Sequence, residues 1–332
     1  MQLDPLSRIL ITGGQGFLGK FVEKALRDKG YKNVFTAGGL RQGVDLGEVA
    51  NVGWLFDYTK PDAVIHLASK HGGISANNKY PGGLMYENLN MGLRIIEEAR
   101  QYDCKKFINV GDICSYPANC PVPFSEKDFW SGYPHPLKAH YGIAKKTLAM
   151  VLDGYKKQFG LDSTTLILTD LYGPNDEFDP HASKFIPSLL TRIRFNIDQT
   201  IDTFETWGDS QSTRDFLFIE DAADAVVLAL EKSTDIPIIN IGSGQETNIK
   251  DLTERACKIL NYNGNIKWNE SPSAGTVRRF LDISRANSIL GFSPKVLLDE
   301  GIQQTAEWFF KELPPPKLYS SDALPPNMDA LR

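Results

Sequence analysis

No run of about 18 apolar residues, the length a helix needs to cross a bilayer, occurs in the chain. Its first residues, Met1 to Arg8, also lack the apolar core of a secretory signal. Cysteine is scarce. The four present (Cys104, Cys114, Cys120 and Cys257) form no CxxC pair and no metal-ligand spacing. That pattern argues against a zinc site or a disulfide framework and fits free thiols in a reducing compartment. Basic excess is absent too: 36 Lys and Arg stand against 41 Asp and Glu, a net charge of -5. Neither a nucleic acid nor an anionic membrane is therefore expected as a partner. The expectation is a soluble cytoplasmic protein that binds no metal. What is present is ordinary globular composition, 42% apolar and 23% charged over 332 residues, enough for one large domain or two smaller ones.

Internal repeats are also missing. In the first half, short β-rich runs alternate with helical patterns, which predicts a parallel sheet with crossover helices. The runs are Arg8–Thr12, Asn33–Thr36, Ala63–Ala68, Lys106–Val110 and Thr164–Leu168. Met85, Leu89, Leu93 and Ile96 recur at helical spacing, as do Ala144, Leu148, Val151 and Tyr155. Beyond residue 170 a helix is expected over Ser188–Asn196, a strand and helix over Asp215–Glu231, and a strand at Ile238–Ile241. The fold expected is α/β, a Rossmann-type doubly wound parallel sheet with a smaller α/β substrate-binding domain. The cofactor domain takes residues 1–170 with about 222–246, and the smaller domain 171–221 and 247–312. A Pro-rich tail, 313–332, is expected to lie extended on the surface.

The first strand runs directly into Gly13-Gly14-Gln15-Gly16-Phe17-Leu18-Gly19. Glycines 13, 16 and 19 allow a tight turn, close backbone approach to a pyrophosphate, and close packing of the next helix. The N-terminus of that helix then offers N–H groups to the phosphates. A glycine triplet alone is a weak signal; its place between a strand and the amphipathic Phe21–Arg27 segment makes it a dinucleotide loop. At the end of the second strand, Thr36-Ala37-Gly38-Gly39-Leu40-Arg41 contains no acid for ribose hydroxyls but one arginine, so NADPH/NADP is favoured over NAD. Asp45 and Leu46 fall where such folds touch the adenine, and Leu67 and Ala68 complete the expected cofactor contacts.

Tyr141 and Lys145 stand four residues apart, hence on one helix face. An ammonium beside the phenol is expected to lower the tyrosine pKa towards working pH. Tyr141 then exchanges a proton with a carbonyl or carbinol oxygen as hydride moves to or from the nicotinamide.

With these motifs the chain resembles the extended short-chain dehydrogenase/reductase family and, within it, the GDP-L-fucose synthase family (GDP-4-keto-6-deoxymannose epimerase-reductases). The resemblance runs from about Ser7 to Phe309. It is carried by Gly72-Gly73-Ile74-Ser75-Ala76-Asn77-Asn78-Lys79-Tyr80-Pro81, Cys114-Ser115-Tyr116-Pro117 and Leu171-Tyr172-Gly173-Pro174-Asn175-Asp176-Glu177-Phe178. Trp207-Gly208, Arg214-Asp215-Phe216 and Gly275-Thr276-Val277-Arg278 add to it. The resemblance implies NADPH-dependent reduction of a 4-keto-6-deoxy sugar carried on a nucleotide, expected to be GDP, with or without epimerisation beside the ketone. It places that chemistry in deoxysugar biosynthesis for a surface polysaccharide or glycan. Tyr141 is implied as proton donor to the ketone, Lys145 as its electrostatic partner and ribose anchor, and Cys114 as an epimerisation residue. Asn175, Arg192, Trp207, Arg214 and Arg278 are implied as substrate contacts, the arginines as guanidinium forks on the diphosphate and sugar. A homodimer paired through the two long helices is implied as well.

Two departures fall on the substrate side. Asp112 stands where the family carries its catalytic serine, and an ionised Asp offers a carbonyl oxygen no donor while raising a nearby phenol's pKa. Either Asp112 is protonated, or a neighbour such as Ser115 substitutes, or the chemistry differs. Lys184 stands where the family carries an epimerisation histidine, with His181 three residues earlier; Asp170 replaces an asparagine. Two other readings follow from these changes: an epimerase or dehydratase that retains its NAD(P) with no net redox, and a sugar-nucleotide binding protein with impaired catalysis.

Overall fold

The β-rich runs become the strands of one parallel sheet: β1 (Arg8–Thr12), β2 (Asn33–Ala37), β3 (Ala63–His66), β4 (Lys106–Asp112), β5 (Ser163–Leu168) and β10 (Ile238–Ile241), in the order β10-β5-β4-β3-β1-β2. All five pairings are parallel. The structure, a computed structural model, describes residues 3–38, 44–72, 74–179, 183–270 and 277–315.

Successive side chains of β1 enter different cores because strand side chains alternate between faces. Ile9 and Ile11 pack with α1 (Phe17–Asp28) and α7 (Ile219–Glu231), whereas Leu10 packs with α2 (Val49–Thr59), α4 (Pro81–Gln101, preceded by the short α3, Ile74–Lys79) and α5 (Ala139–Phe159). Both faces being covered, β3 and β5 are buried at every position, as a parallel sheet requires. The doubly wound α/β expectation is met. Strand ends differ by a residue or two: β3 stops at His66 rather than Ala68, and the Leu67 N–H closes its ladder with β1 on the Thr12 carbonyl at 3.0 Å.

A second apolar cluster gathers around Tyr172, Phe204, Phe218, Leu252 and Phe309. It is built from α6 (Phe185–Asp198), β7 (Thr203–Gly208), α8 (Ile249–Ile259) and α9 (Leu298–Glu312). β7 pairs in parallel with β12 (Asn265–Glu270), a pairing the sequence reading did not anticipate. Small pairs complete this side: β6 (Asp170–Tyr172) with β9 (Phe216–Phe218), and β8 (Thr213–Arg214) between β11 (Thr247–Asn248) and β13 (Arg278–Arg279). No helix among the described residues is long and apolar enough to cross a membrane.

β1 lies between β2 and β3, so crossovers run to opposite sides of it and the chain reverses direction across the sheet. A crevice opens at such a switch point, outside the carboxyl ends of the strands. The glycine loop after β1 and the loops after β3 and β4 all emerge there.

Candidate active site

The glycine loop is shaped by backbone contacts that leave no room for side chains. Gly13 has φ +74°, and a Cβ there would lie 2.7 Å from the Ala68 nitrogen. A Cβ on Gly19 would fall 2.4 Å from the Gly13 carbonyl oxygen, so α1 packs on the loop only with glycine at 19. Gly16 is the N-cap of α1 and no side chain caps it, which leaves the first-turn N–H groups facing the loop. A diphosphate fits this cradle. Gln15 reaches Thr36 Oγ1 at 3.4 Å, while Phe17 and Leu18 rest partly buried against the core. Asp45 accepts the Gly47 N–H at 2.8 Å in a tight turn, and Leu46 packs its side chain into the core. Arg41 and His181 lie outside the described residues.

Tyr141 and Lys145 come from α5, whose first turns pack on the end of β4. Tyr141 is 8% exposed and Lys145 3%, so both groups of the pair are withdrawn from water. The Lys145 ammonium donates to the Val110 carbonyl at 3.0 Å and stands 5.8 Å from the Tyr141 ring centroid. Burial brings Lys145 down to about 8, against the opposing pull of Asp112 and Cys114. The phenol does not follow the sequence expectation. Burial, reinforced by Asp112 and Cys114, raises Tyr141 well above its usual value. The reason is direct: desolvation disfavours phenolate, two acidic groups lie close, and the ammonium points at a carbonyl rather than at the phenol oxygen.

Asp112 closes β4 and caps the short turn Ile113–Ser115, accepting the Cys114 N–H at 2.7 Å. The Cys114 thiol is pushed far up by burial and by Asp112. Ser115, the alternative hydroxyl, is fully buried, and its Oγ has no hydrogen-bond partner in the structure. The hydroxyl that does meet Tyr141 is Ser69, after β3, at 3.2 Å. Sequence reasoning missed it, as it missed His71, which shares the field of Lys184, Asp112 and Lys145.

The expected substrate residues distribute unevenly. Lys184 is the N-cap of α6, its ammonium 6.0 Å from the Phe17 ring, and so bridges the smaller cluster to the glycine loop. Asn175 sits exposed in a turn at φ +67°. Arg192 donates to the Glu205 carbonyl beneath the Phe204 ring. Trp207 lies on β7, its side chain outside the described residues. Arg214 donates to the Thr213 and Val277 carbonyls, and burial, then Arg279, brings it down to about 10. Arg278 is directed outward into an exposed ion pair with Glu246, at 2.7 Å. Its neighbour Arg279 turns inward instead: it pairs with Asp170 at 2.5 Å and acts on Asp112 and Cys114. Burial alone would raise Asp170, but Arg279, Lys138, Arg214 and Lys184 hold its carboxyl below the usual range. Arg279, Arg214, Lys138 and Lys184 thus form a basic field around two acids, suited to an anion.

Residues 9–242 match the model of the NAD dependent epimerase/dehydratase family. GDP-L-fucose synthase 1 of Arabidopsis thaliana is 33% identical, covering 93% of this chain and 95% of its own. GDP-L-fucose synthase of Escherichia coli is 30% identical, covering 92% and 97%. Among solved structures, a GDP-mannoheptose C4 reductase from Campylobacter jejuni with NADP bound superposes with a TM-score of 0.84 at 26% identity, over 93% of this chain and all of that one. From the loop geometry, Gly19→Ala is expected to weaken dinucleotide binding by about tenfold or more, measured by fluorescence titration, and to lower thermal stability as well, since the added Cβ meets backbone.

Proposed function

The chain belongs to the NAD dependent epimerase/dehydratase family, and from that premise we propose that it is an NADPH-dependent reductase of a GDP-linked 4-keto sugar. The observation that carries the reading is Tyr141, buried with Lys145 at the mouth of a glycine loop, beside a basic crevice. NADP-bound and GDP-sugar relatives support both ligands. Gly13, Gly19 and the uncapped start of α1 would hold the cofactor's diphosphate, and Lys145 its ribose. Bound NADPH supplies the hydride that adds to the ketone carbon. Tyr141 gives its proton to the ketone oxygen, so the carbonyl becomes a carbinol. A phenol held protonated by its surroundings is suited to act as an acid, the direction that reduction needs. Arg214, Arg279, Lys138 and Lys184 attract the diphosphate. In this reading residues 171–221 and 247–312 contribute the sugar side.

Reduction is favoured over epimerisation at Cys114. A base that abstracts a carbon-bound proton must be available as thiolate, and burial with Asp112 beside it opposes that form. The four cysteines are free, in keeping with work in the cytoplasm. The family-type homodimer is part of the proposal: α4 leaves Tyr86 and Leu93 exposed, and α5 leaves Met150 and Phe159.

Purified protein given NADPH and a panel of GDP-4-keto sugars, deoxyhexose and heptose, should oxidise NADPH with at least one. Tyr141→Phe should lose about 100- to 10,000-fold in kcat; undiminished turnover would overturn the mechanism. Arg279→Met should raise the KM for the sugar nucleotide by at least about tenfold, since it removes an inward-facing cation from the anion site and the partner of half-buried Asp170. Arg278→Met should raise it less; the reverse order would favour Arg278 as the substrate arginine. Sedimentation equilibrium should give a dimer, and a monomer at micromolar concentration would count against the pairing through α4 and α5.

A further inference from the structure

Ser69 is tied into the catalytic centre from one side and into the fold from the other. Its Oγ lies 3.2 Å from Tyr141 Oη and donates to Asn88 Oδ1 at 2.9 Å. Asn88 is 2% exposed and held at both ends of its amide. Its Nδ2 donates to the Lys70 and Leu84 carbonyls, each at 2.7 Å, and its Oδ1 also accepts the Lys70 N–H at 3.1 Å. With both Nδ2 hydrogens committed to carbonyls, Oδ1 faces Ser69 as an acceptor, and the amide orientation is determined by its partners. Ser69 therefore directs its single O–H at Asn88. Tyr141 is then the donor of the 3.2 Å contact, and the phenol proton rests on Ser69 Oγ.

The other groups around the phenol do not play this part. Asp112 and Cys114, at the end of β4, oppose phenolate. Lys145, one turn along α5, gives its hydrogen bond to the Val110 carbonyl. Ser69, from the loop after β3, is the side chain that meets the phenol oxygen, and it favours the ionised form.

We infer that Ser69 is a positioning residue for Tyr141: anchored on Asn88, its hydroxyl aims the phenol at rest and turns its O–H onto the phenolate once the proton has been delivered. The inference rests on the reductase reading. In the step itself, bound NADPH would give up its hydride to the ketone carbon and leave as NADP, while the Tyr141 O–H bond breaks and its proton goes to the ketone oxygen as the C=O double bond becomes single. The phenolate left behind is a stronger acceptor than the Asn88 carbonyl, so rotation of the Ser69 O–H from Asn88 to Tyr141 forms a charge-assisted bond. A proton from water then restores the phenol. The centre lacks a serine at Asp112 and leaves the Ser115 hydroxyl unpartnered. A hydroxyl from a different loop supplies what neither provides.

Ser69→Ala, assayed with NADPH and the keto sugar, is expected to lower kcat about 10- to 100-fold with KM and NADPH affinity nearly unchanged. It should also move the alkaline limb of the kcat profile to higher pH. The sign follows from the phenol acting while protonated: losing the hydroxyl that stabilises phenolate raises the pH at which the proton leaves. Ser69→Thr keeps the hydroxyl and should restore both. A readout free of substrate comes from a fluorotyrosine placed at position 141, titrated by fluorine NMR in the NADPH complex. That titration should move up in Ser69→Ala and return in Ser69→Thr. An unmoved titration sinks the role of Ser69 whatever the substrate proves to be, and leaves the reductase reading standing if wild type still consumes NADPH. A moved titration in a protein that reduces no keto sugar keeps the contact and sinks the reductase reading instead.

Discussion

The Lys145 ammonium, 3.0 Å from the Val110 carbonyl, is the contact on which the candidate active site depends. It fastens α5 to the end of β4 at the level where the sheet gives out. Tyr141, one turn earlier on the helix, is thereby set against Asp112 and Cys114, the next residues of the same strand and its turn. A charged amine nearly free of water is costly unless hydrogen-bonded, and the strand carbonyl meets that need. The same burial brings Lys145 to about 8 and raises Tyr141, so one enclosure acts on both members of the pair in opposite directions.

Around that enclosure the charges fall into two groups. Towards the glycine loop the surface is mainly backbone: glycines that admit no Cβ and helix N–H groups without a cap. Towards the smaller cluster it is side chains, with Asp170 and Asp112 embedded among Arg279, Arg214, Lys138 and Lys184. A backbone cradle tolerates little change in sequence, whereas a side-chain field is readily retuned. Asp112 and Lys184 depart from the family pattern on the side-chain half alone. Dinucleotide binding with altered sugar chemistry is the consequence expected from such a division.

The strands of the main sheet were legible because each is an apolar run bounded by turn residues, and β1 with its glycine loop is a contiguous signal. The β7–β12 pair was not, although Asn265-Ile266-Lys267-Trp268 alternates as a strand should. Its partner lies some sixty residues away in sequence, and alternation indicates a strand without indicating what it pairs with. At the site, Tyr141 and Lys145 were legible as a helical i, i+4 pair. The effect of one on the other is not legible there, because spacing gives proximity and not the direction of a hydrogen bond or the depth of burial.

The sequence by itself determined the dinucleotide loop, the tyrosine–lysine pair and the parallel sheet, since each is encoded by residues close together in the chain. Only the tertiary structure decided which of Arg278 and Arg279 turns inward, to Asp170. They are neighbours on β13, and strand geometry sends them to opposite faces. It alone also brought Ser69 to Tyr141, 72 residues apart, because loops distant in sequence converge at the carboxyl edge of the sheet. Which side chains meet there depends on strand order and register, and neither is written in any local stretch of the chain.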